Sequence, residues 1–424
     1  MLIFESNIES AFHQEEIKKI LNYVLTGKFC QVVCVPGGGK ATIMRLLAHN
    51  RNVLKFHLQE KEGSVRFVYL NLLDLTNYQD SQITKFILSA LDQKSPRSDD
   101  PIALIKQLNQ TINELTDQKT VVLLFDHFDE YQNRLPRTFF QMLRTASSLA
   151  KYKFAVVFAT RRNLEELVDP QTLKDFYPFF VDNTIYLKVY DKGATEFMFS
   201  QIEAVFKKKL SKKKRGAIIA LTGGHAKLTK VVAELALREN IVPSQKLLEK
   251  TIVKAALFEL WLFLTAQEQQ ILIQMANESP HKQDNTLDNL IRFDLVKPKG
   301  QNNSFEFTIP LFEEFINEVI PSFAPQKISY NQNTKEITKG TNIISDLLSP
   351  QEYRLLRFLI ENERKIIQRE EIIRSVWPDV QVLQGISDEA IDQMVFRLRK
   401  KIEDNPNQPK HILTVKGQGF RFQP

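Results

Sequence analysis

At 424 residues the chain is too long for one compact domain and suits about three cores in series. Its 43% hydrophobic and 25% charged residues, with 14 Gly and 17 Pro, exclude collagen-like and low-complexity chains. A net charge of +7 admits an anionic partner, while two cysteines, Cys30 and Cys34, exclude a disulfide framework and supply too few ligands for zinc.

The N-terminal stretch MLIFESNIESAFHQEE has no basic region followed by an apolar one, so it does not read as a secretory signal. The most apolar stretch, Ala255 to Ala266, is too short to span a bilayer and contains Glu259. A soluble cytoplasmic protein with no membrane partner is therefore expected, with a nucleoid location if it binds DNA. Apolar strand-like runs follow at Gln31–Val35, Val65–Leu70, Thr120–Phe125, Phe154–Ala159 and Thr184–Val189, separated by helical patterns. That alternation predicts a parallel sheet of about five strands covered by helices. From Asp191 to about Lys254 helical spacing takes over, broken by Thr222-Gly223-Gly224-His225, which predicts a helical lid with a turn inside it.

Two later segments share a helix-start pattern. Leu264-Thr265-Ala266-Gln267-Glu268 and Leu348-Ser349-Pro350-Gln351-Glu352 each place an acid three residues after a hydroxyl N-cap. Both open a helical stretch and end in short β-like runs, with turns at Asn302-Asn303-Ser304 and Gly417-Gln418-Gly419. The reading is a core at 1–190, a lid at 191–255, a helix-plus-hairpin domain at 256–322, a linker at Ser322–Pro325 and a second such domain at 326–424.

The apolar run ending at Val35 leads into Pro36-Gly37-Gly38-Gly39-Lys40-Ala41-Thr42 and a helical run. Strand, glycine loop, lysine and helix make a phosphate cradle: glycines let backbone N–H groups approach an anion at a helix N-terminus, and Lys40 reaches the terminal phosphates. Against G-x-x-x-x-G-K-[ST], Cys34 replaces the first glycine and Ala41 the hydroxyl that holds Mg²⁺; Thr42, one residue on, points about 100° away. Val121-Val122-Leu123-Leu124-Phe125-Asp126 resembles a Walker B strand, which implies Asp126 as the catalytic carboxylate holding Mg²⁺ directly or through water. His127 stands where AAA+ relatives often carry an activating Glu, with Asp129 and Glu130 further on.

Phe154 to Arg162 ends in Thr160-Arg161-Arg162, and Thr222-Gly223-Gly224-His225-Ala226 resembles the Gly-x-Pro lid motif of STAND and Orc/Cdc6-like ATPases with Ala226 at the Pro position. Residues 10–250 thus resemble the AAA+/STAND superfamily of P-loop NTPases. The resemblance implies ATP and Mg²⁺ as cofactors, Thr160 or Arg161 as the γ-phosphate sensor, and Gly224 and His225 as lid contacts to the nucleotide. Because Ala41 and His127 depart from the ATPase motifs, ATP binding without sustained hydrolysis is the expectation. The run Lys207 to Arg215 has seven basic residues in nine, which suits DNA phosphates, another anionic partner or a solvated surface.

In the last domain, Leu355, Leu356, Leu359 and Ile360 fall at helical spacing, Arg369 to Trp377 reads as a second helix, and Ser387 caps a third, Asp388 to Glu403. Its stripe Ile391, Val395, Leu398, Ile402 packs inward, leaving Arg397, Lys400 and Lys401 outside. A basic hairpin, Ile412 to Phe422, closes the chain. The ordered set Leu-Ser-x-x-Glu-Tyr, Arg-Glu-x-x-x-x-x-x-Trp, Val-Phe-Arg-Leu-Arg-Lys-Lys-Ile and Thr-Val-Lys-Gly-Gln-Gly-Phe-Arg-Phe closely resembles the OmpR/PhoB-type winged helix.

That resemblance implies Asp392, Gln393 and Arg397 at base edges, Arg399 and Lys400 at phosphates, and Thr414, Lys416 and Arg421 on the wing, with Trp377 and Phe420 in the core. The middle domain resembles the winged helix behind STAND or Orc/Cdc6-like cores; with Arg292 against Asp284 and Asp288, it reads as a packing spacer. The expected fold is an α/β P-loop NTPase core with a helical lid and two winged-helix domains. The expected function is a sequence-specific transcription regulator of double-stranded DNA, homo-oligomeric on DNA and gated by ATP, with an upstream signalling protein as a candidate partner. An active remodelling ATPase and a scaffold with a vestigial nucleotide site are the competing readings.

Overall fold

The computed structural model describes residues 8, 12–75, 77, 79–92, 98–131, 135–174, 176–239, 245–277, 285–300, 304–320, 327–340, 342–377, 387–403 and 405–423. The linker at 322–325, Asp284, and Asn302 and Asn303 of the first expected turn lie outside them. The chain divides into two compact units, Met1–Val319 and Ile320–Pro424.

In the first unit five strands, β1 (Cys30–Val33), β2 (Val65–Asn71), β3 (Thr120–Asp126), β4 (Phe154–Thr160) and β5 (Thr184–Tyr186), form one sheet in the order β2-β3-β4-β1-β5. Every pairing is parallel. β1 and β4 are buried along their whole length and β3 along all but its first residue, as expected for a parallel sheet covered on both faces. The chain leaves β1 for the far edge at β2 and returns across β1 to reach β5, so the C-terminal end of β1 is a switch point where such sheets open a crevice. The fold is a P-loop NTPase core: the glycine loop follows the inner strand β1 and runs into the helix Lys40–His49. The fifth strand is shorter than its apolar run: its sheet pairing ends at Tyr186, while Leu187, which still donates its N–H to Val33, and Val189 are buried beyond it.

Three lid helices follow, Lys192–Phe206, Lys212–Thr222 and Ala226–Arg238, capped at their starts by the side chains of Asp191, Ser211 and His225. The next helix, Thr251–Phe263, runs through the boundary expected at 255/256, so lid and middle domain share one continuous element. The middle domain has helices Ala266–Ala276, Asn285–Arg292 and Pro310–Glu318 and the hairpin Val296–Lys299/Ser304–Phe307. It packs on the lid turn: Gly223 has φ 59°, and a Cβ there would collide with the Thr308 carbonyl.

The second unit begins with the antiparallel strands Ile328–Tyr330, Ile337–Lys339 and Asn342–Ile343. Helices Pro350–Glu361, Arg369–Val376 and Asp388–Ile402 then pack with the sheet formed by Ile366–Ile367, Ile412–Val415 and Gly419–Phe422. Leu355, Leu359, Ile391, Val395, Leu398, Ile402 and Phe420 share its core, with Trp377 partly buried against it. This is a winged helix.

The two matching helix starts both fold as capping boxes, Thr265 with Glu268 and Ser349 with Glu352. Each capping glutamate is buried, and each takes a cation from elsewhere in its own unit. Arg162 reaches Glu268, and Lys401 reaches Glu352 at 2.6 Å. Lys401, expected outside with Arg397 and Lys400, therefore turns back onto the first helix of its domain.

Candidate functional site

The P-loop residues Pro36, Gly37, Gly38, Gly39, Lys40, Ala41 and Thr42 line a cavity of about 1020 Å³ between core and lid. Its size lies at the upper end of small-molecule sites. Gly37 and Gly39 have φ of 74° and 105°, a backbone that L side chains rarely adopt. A Cβ on Gly38 would collide with the Cys34 thiol, so the sulfur fills the space under the loop where the motif usually has a glycine. Burial pushes the Cys34 thiol up to about 11 and keeps it neutral.

Lys40 Nζ lies 3.1 Å from Asp129 Oδ2, and Asp129 also accepts from the Arg161 backbone N–H and from Arg161 Nε at 3.3 Å. Lys40, Asp129 and Arg161 all line the cavity. Phe128 places Asp129 there: fully buried, it packs edge-on against Phe158 with ring centroids 4.8 Å apart, fixing the short turn after β3.

Asp126 is fully buried and does not line the cavity. One of its oxygens accepts from Tyr69 Oη at 2.8 Å and the other from the His127 backbone N–H at 2.8 Å. The carboxylate that meets Lys40 at the cavity is thus Asp129, to which the sequence assigned no role; its signal was the acid three residues beyond Asp126, on the far side of an apolar Phe. Thr160 is also fully buried, and its Oγ1 has no hydrogen-bond partner. Arg161, not Thr160, reaches the cavity.

The lid closes on the loop through His225 and Lys227. His225 Nδ1 accepts the Leu228 N–H at 3.3 Å as helix cap, which assigns the proton to Nε2, the donor to the Pro36 carbonyl at 2.8 Å. The Lys227 N–H donates to the Gly37 carbonyl at 3.1 Å. Gly224 lines the cavity, whereas His225 itself lies behind the loop. Phe12, Phe197, Met198, Ile202 and Phe206 give the cavity an apolar part of its lining.

Burial pushes His225 down to about 4, partly opposed by its bond to Pro36. Between an ordinary histidine value near ~6.5 and 4 the unfolded chain binds the extra proton, so stability falls as pH drops through this window and is fully present above it. We expect a loss of about 3 kcal/mol across the window. Unfolding curves at pH 7.5 and 4.5 should therefore differ less for His225→Gln than for the parent chain.

The cavity residues fit a nucleotide: backbone N–H groups at a helix start, Lys40 and Arg161 for phosphates, and an apolar lining for a base. They do not fit a metal gripped by the side chains of residue 41 and Asp126, because Ala41 has no side-chain oxygen and Asp126 is fully buried away from the cavity with each oxygen accepting from a protein donor. Among the described residues no cluster of three metal-ligating side chains occurs, and no helix is long and apolar enough to cross a membrane.

In the second unit the helix Asp388–Ile402 buries Ile391, Met394, Val395, Leu398 and Ile402 and exposes Gln393, Phe396, Arg397 and Lys400. Asp392 is ion-paired to Arg369 Nη2 at 2.6 Å. Arg399 was expected at phosphates. Instead its Nε and Nη2 donate to the Ile412 carbonyl at 3.0 and 2.7 Å, and Nη2 to Thr414 Oγ1 at 2.8 Å. It sits on the flank of the helix beside the wing, so it ties helix to hairpin and engages Thr414 as well. Lys416 is exposed at the hairpin tip and Arg421 is half-buried.

Residues 346–422 match the family model described as transcriptional regulatory protein, C terminal. The chain carries a transcriptional-regulator C-terminal domain. Over this region it is 34% identical across 88 residues to the transcriptional regulatory protein KdpE of Mycobacterium tuberculosis, a match that covers 20% of this chain and 38% of that protein. A Walker-type ATPase of Pyrococcus abyssi aligns with 72% of this chain and 95% of its own at 13% identity and a TM-score of 0.46. The ORC2 protein of Aeropyrum pernix aligns with 73% and 93% at 15% identity and a TM-score of 0.40. Within the C-terminal domain, Arg397, Lys400 and Lys401 are exposed on the third helix, and Lys401 is paired with Glu352.

In the lid's basic run, Arg215 is withdrawn by Glu196 and Glu203, at 2.7 Å each, while Lys207, Lys208, Lys209, Lys212 and Lys213 are exposed.

Proposed function

We propose that this protein is a sequence-specific regulator of transcription that binds double-stranded DNA through residues 326–424, and that ATP bound by the P-loop unit gates DNA binding or self-association. The observation that carries the reading is the winged helix with a packed inner stripe and an outer row holding Gln393, Arg397 and Lys400, in one chain with a lysine-bearing phosphate cradle. Such a helix enters a major groove with its outer row toward base edges.

In the first unit, Lys40 and Arg161 would hold nucleotide phosphates and release Asp129 in doing so, and the apolar lining would hold the base. Mg²⁺, when bound with the nucleotide, would neutralise phosphate charge, held by phosphate and water oxygens. Without a hydroxyl at position 41 and with Asp126 engaged, the site favours binding over turnover. A gate requires ATP to bind one arrangement of the protein better than another.

The test is binding of the full chain to genomic fragments, with and without ATP–Mg²⁺ at fixed salt, with phosphate release followed in the same samples. Altered fragment selection without sustained release is expected. Indifference to ATP would leave the first unit as a scaffold, and steady release would make it an active ATPase. Arg397→Ala is expected to relax sequence choice, because Arg to guanine is the commonest specific base contact. Lys400→Ala should weaken all sequences and lower the salt slope by about 0.9; titrations from low to moderate salt on operator and random DNA separate the two effects.

A further inference from the structure

We propose that Phe396 reads the 5-methyl group of a pyrimidine in the DNA major groove. The proposal rests on the DNA-binding reading above and adds a determinant of specificity to it. On the helix Asp388–Ile402 the inner stripe Ile391, Val395, Leu398, Ile402 has spacings of 4, 3 and 4, and the outer row Glu389, Gln393, Phe396, Lys400 repeats those spacings on the opposite side. Phe396 is therefore the single large apolar side chain in a row of polar ones. It is 39% exposed and takes no part in the domain core, which closes without it.

A phenylalanine that keeps 39% of its surface exposed, on a helix that has already buried its apolar stripe, leaves part of an apolar ring in water, which adds nothing to the fold. Its one described ring contact is polar: the Lys400 ammonium lies 4.8 Å from the ring centroid. That contact holds the ring beside a cation suited to a backbone phosphate, which fits a surface that meets DNA. At a base edge Phe can neither donate nor accept a hydrogen bond. The apolar group that major-groove edges offer is a pyrimidine 5-methyl, on thymine or on 5-methylcytosine.

The experiment uses the full chain and its best-bound genomic fragment, with each thymine in turn replaced by deoxyuridine and, in a second series, each cytosine by 5-methyldeoxycytidine. If thymine is the source, deoxyuridine at one or two positions should weaken the parent protein about fourfold, the worth of one buried methyl. Phe396→Ala should bind the thymine and deoxyuridine forms equally. If methylated cytosine is the source, the second series should strengthen the parent by a similar factor and leave Phe396→Ala unmoved. Identical profiles for parent and Phe396→Ala in both series would overturn the proposal while leaving DNA binding intact. Failure to bind any fragment would overturn the DNA-binding reading and this proposal with it.

Discussion

Arg162→Ala is expected to destabilise the first unit by about 3–5 kcal/mol, the cost of leaving a buried charge without its partner. Arg162 Nη1 donates to Glu268 Oε1 at 2.6 Å, and Nη2 donates to Glu268 Oε2 and, at 3.0 Å, to the Phe263 carbonyl. Its guanidinium carbon lies 4.3 Å and 4.8 Å from the ring centroids of Phe263 and Phe293. Without the arginine, Glu268 keeps one described donor, the Thr265 N–H at 2.8 Å, while remaining 1% exposed. Arg162→Lys should recover only part of the loss, since an ammonium cannot make the two parallel bonds or stack between the rings. Denaturant unfolding measures the effect, and adding Glu268→Gln to Arg162→Ala should restore a large part of it. A change below about 1 kcal/mol for Arg162→Ala would show the pair to be dispensable. Because Arg162 directly follows the cavity residue Arg161, this pair also joins the cavity end of β4 to the middle domain.

Lys40→Ala is expected to lower ATP affinity on the order of a hundredfold, about 3 kcal/mol for a charged group on phosphate in a partly enclosed site. Lys40 is held over the cavity by Asp129, its side chain 13% exposed. The fold should survive the substitution, because Asp129 retains both Arg161 donors. Calorimetric titration of the full chain with ATP–Mg²⁺ checks affinity, and unfolding of the same sample checks stability. Asp129→Asn is expected to act in the opposite direction, freeing Lys40 for the ligand. Parental affinity in Lys40→Ala would remove the phosphate cradle from the account.

Local patterns in the sequence were sufficient for many of the elements, but not for the short antiparallel strands Ile328–Tyr330, Ile337–Lys339 and Asn342–Ile343. The β3 and β4 runs were legible because a strand buried on both faces is continuously apolar, and the helix starts at Thr265 and Ser349 because a capping box is written in four residues. The third helix of the winged domain was legible from its 4, 3, 4 stripe. Partners distant in sequence were not legible. Glu268 reads as a capping acid and Arg162 as the last residue of a basic strand end, yet folding brings them together across 106 positions. Likewise Arg399 looks as free as Arg397, and only the hairpin's approach shows that it binds Ile412 and Thr414.

The sequence by itself determined the five strands of the parallel sheet, the glycine loop with its lysine, the lid turn and the winged-helix pattern, because each is set by spacing within a few residues. The tertiary structure alone decided which charged groups remain available to a ligand. Burial and long-range hydrogen bonding turned Asp126, Arg399 and Lys401 toward the protein, left Asp129 and Arg161 lining the cavity while bonded to each other, and left Arg397 and Lys400 exposed. An ionic group's free energy depends on the partners and solvent around it, and those are fixed only when distant segments pack.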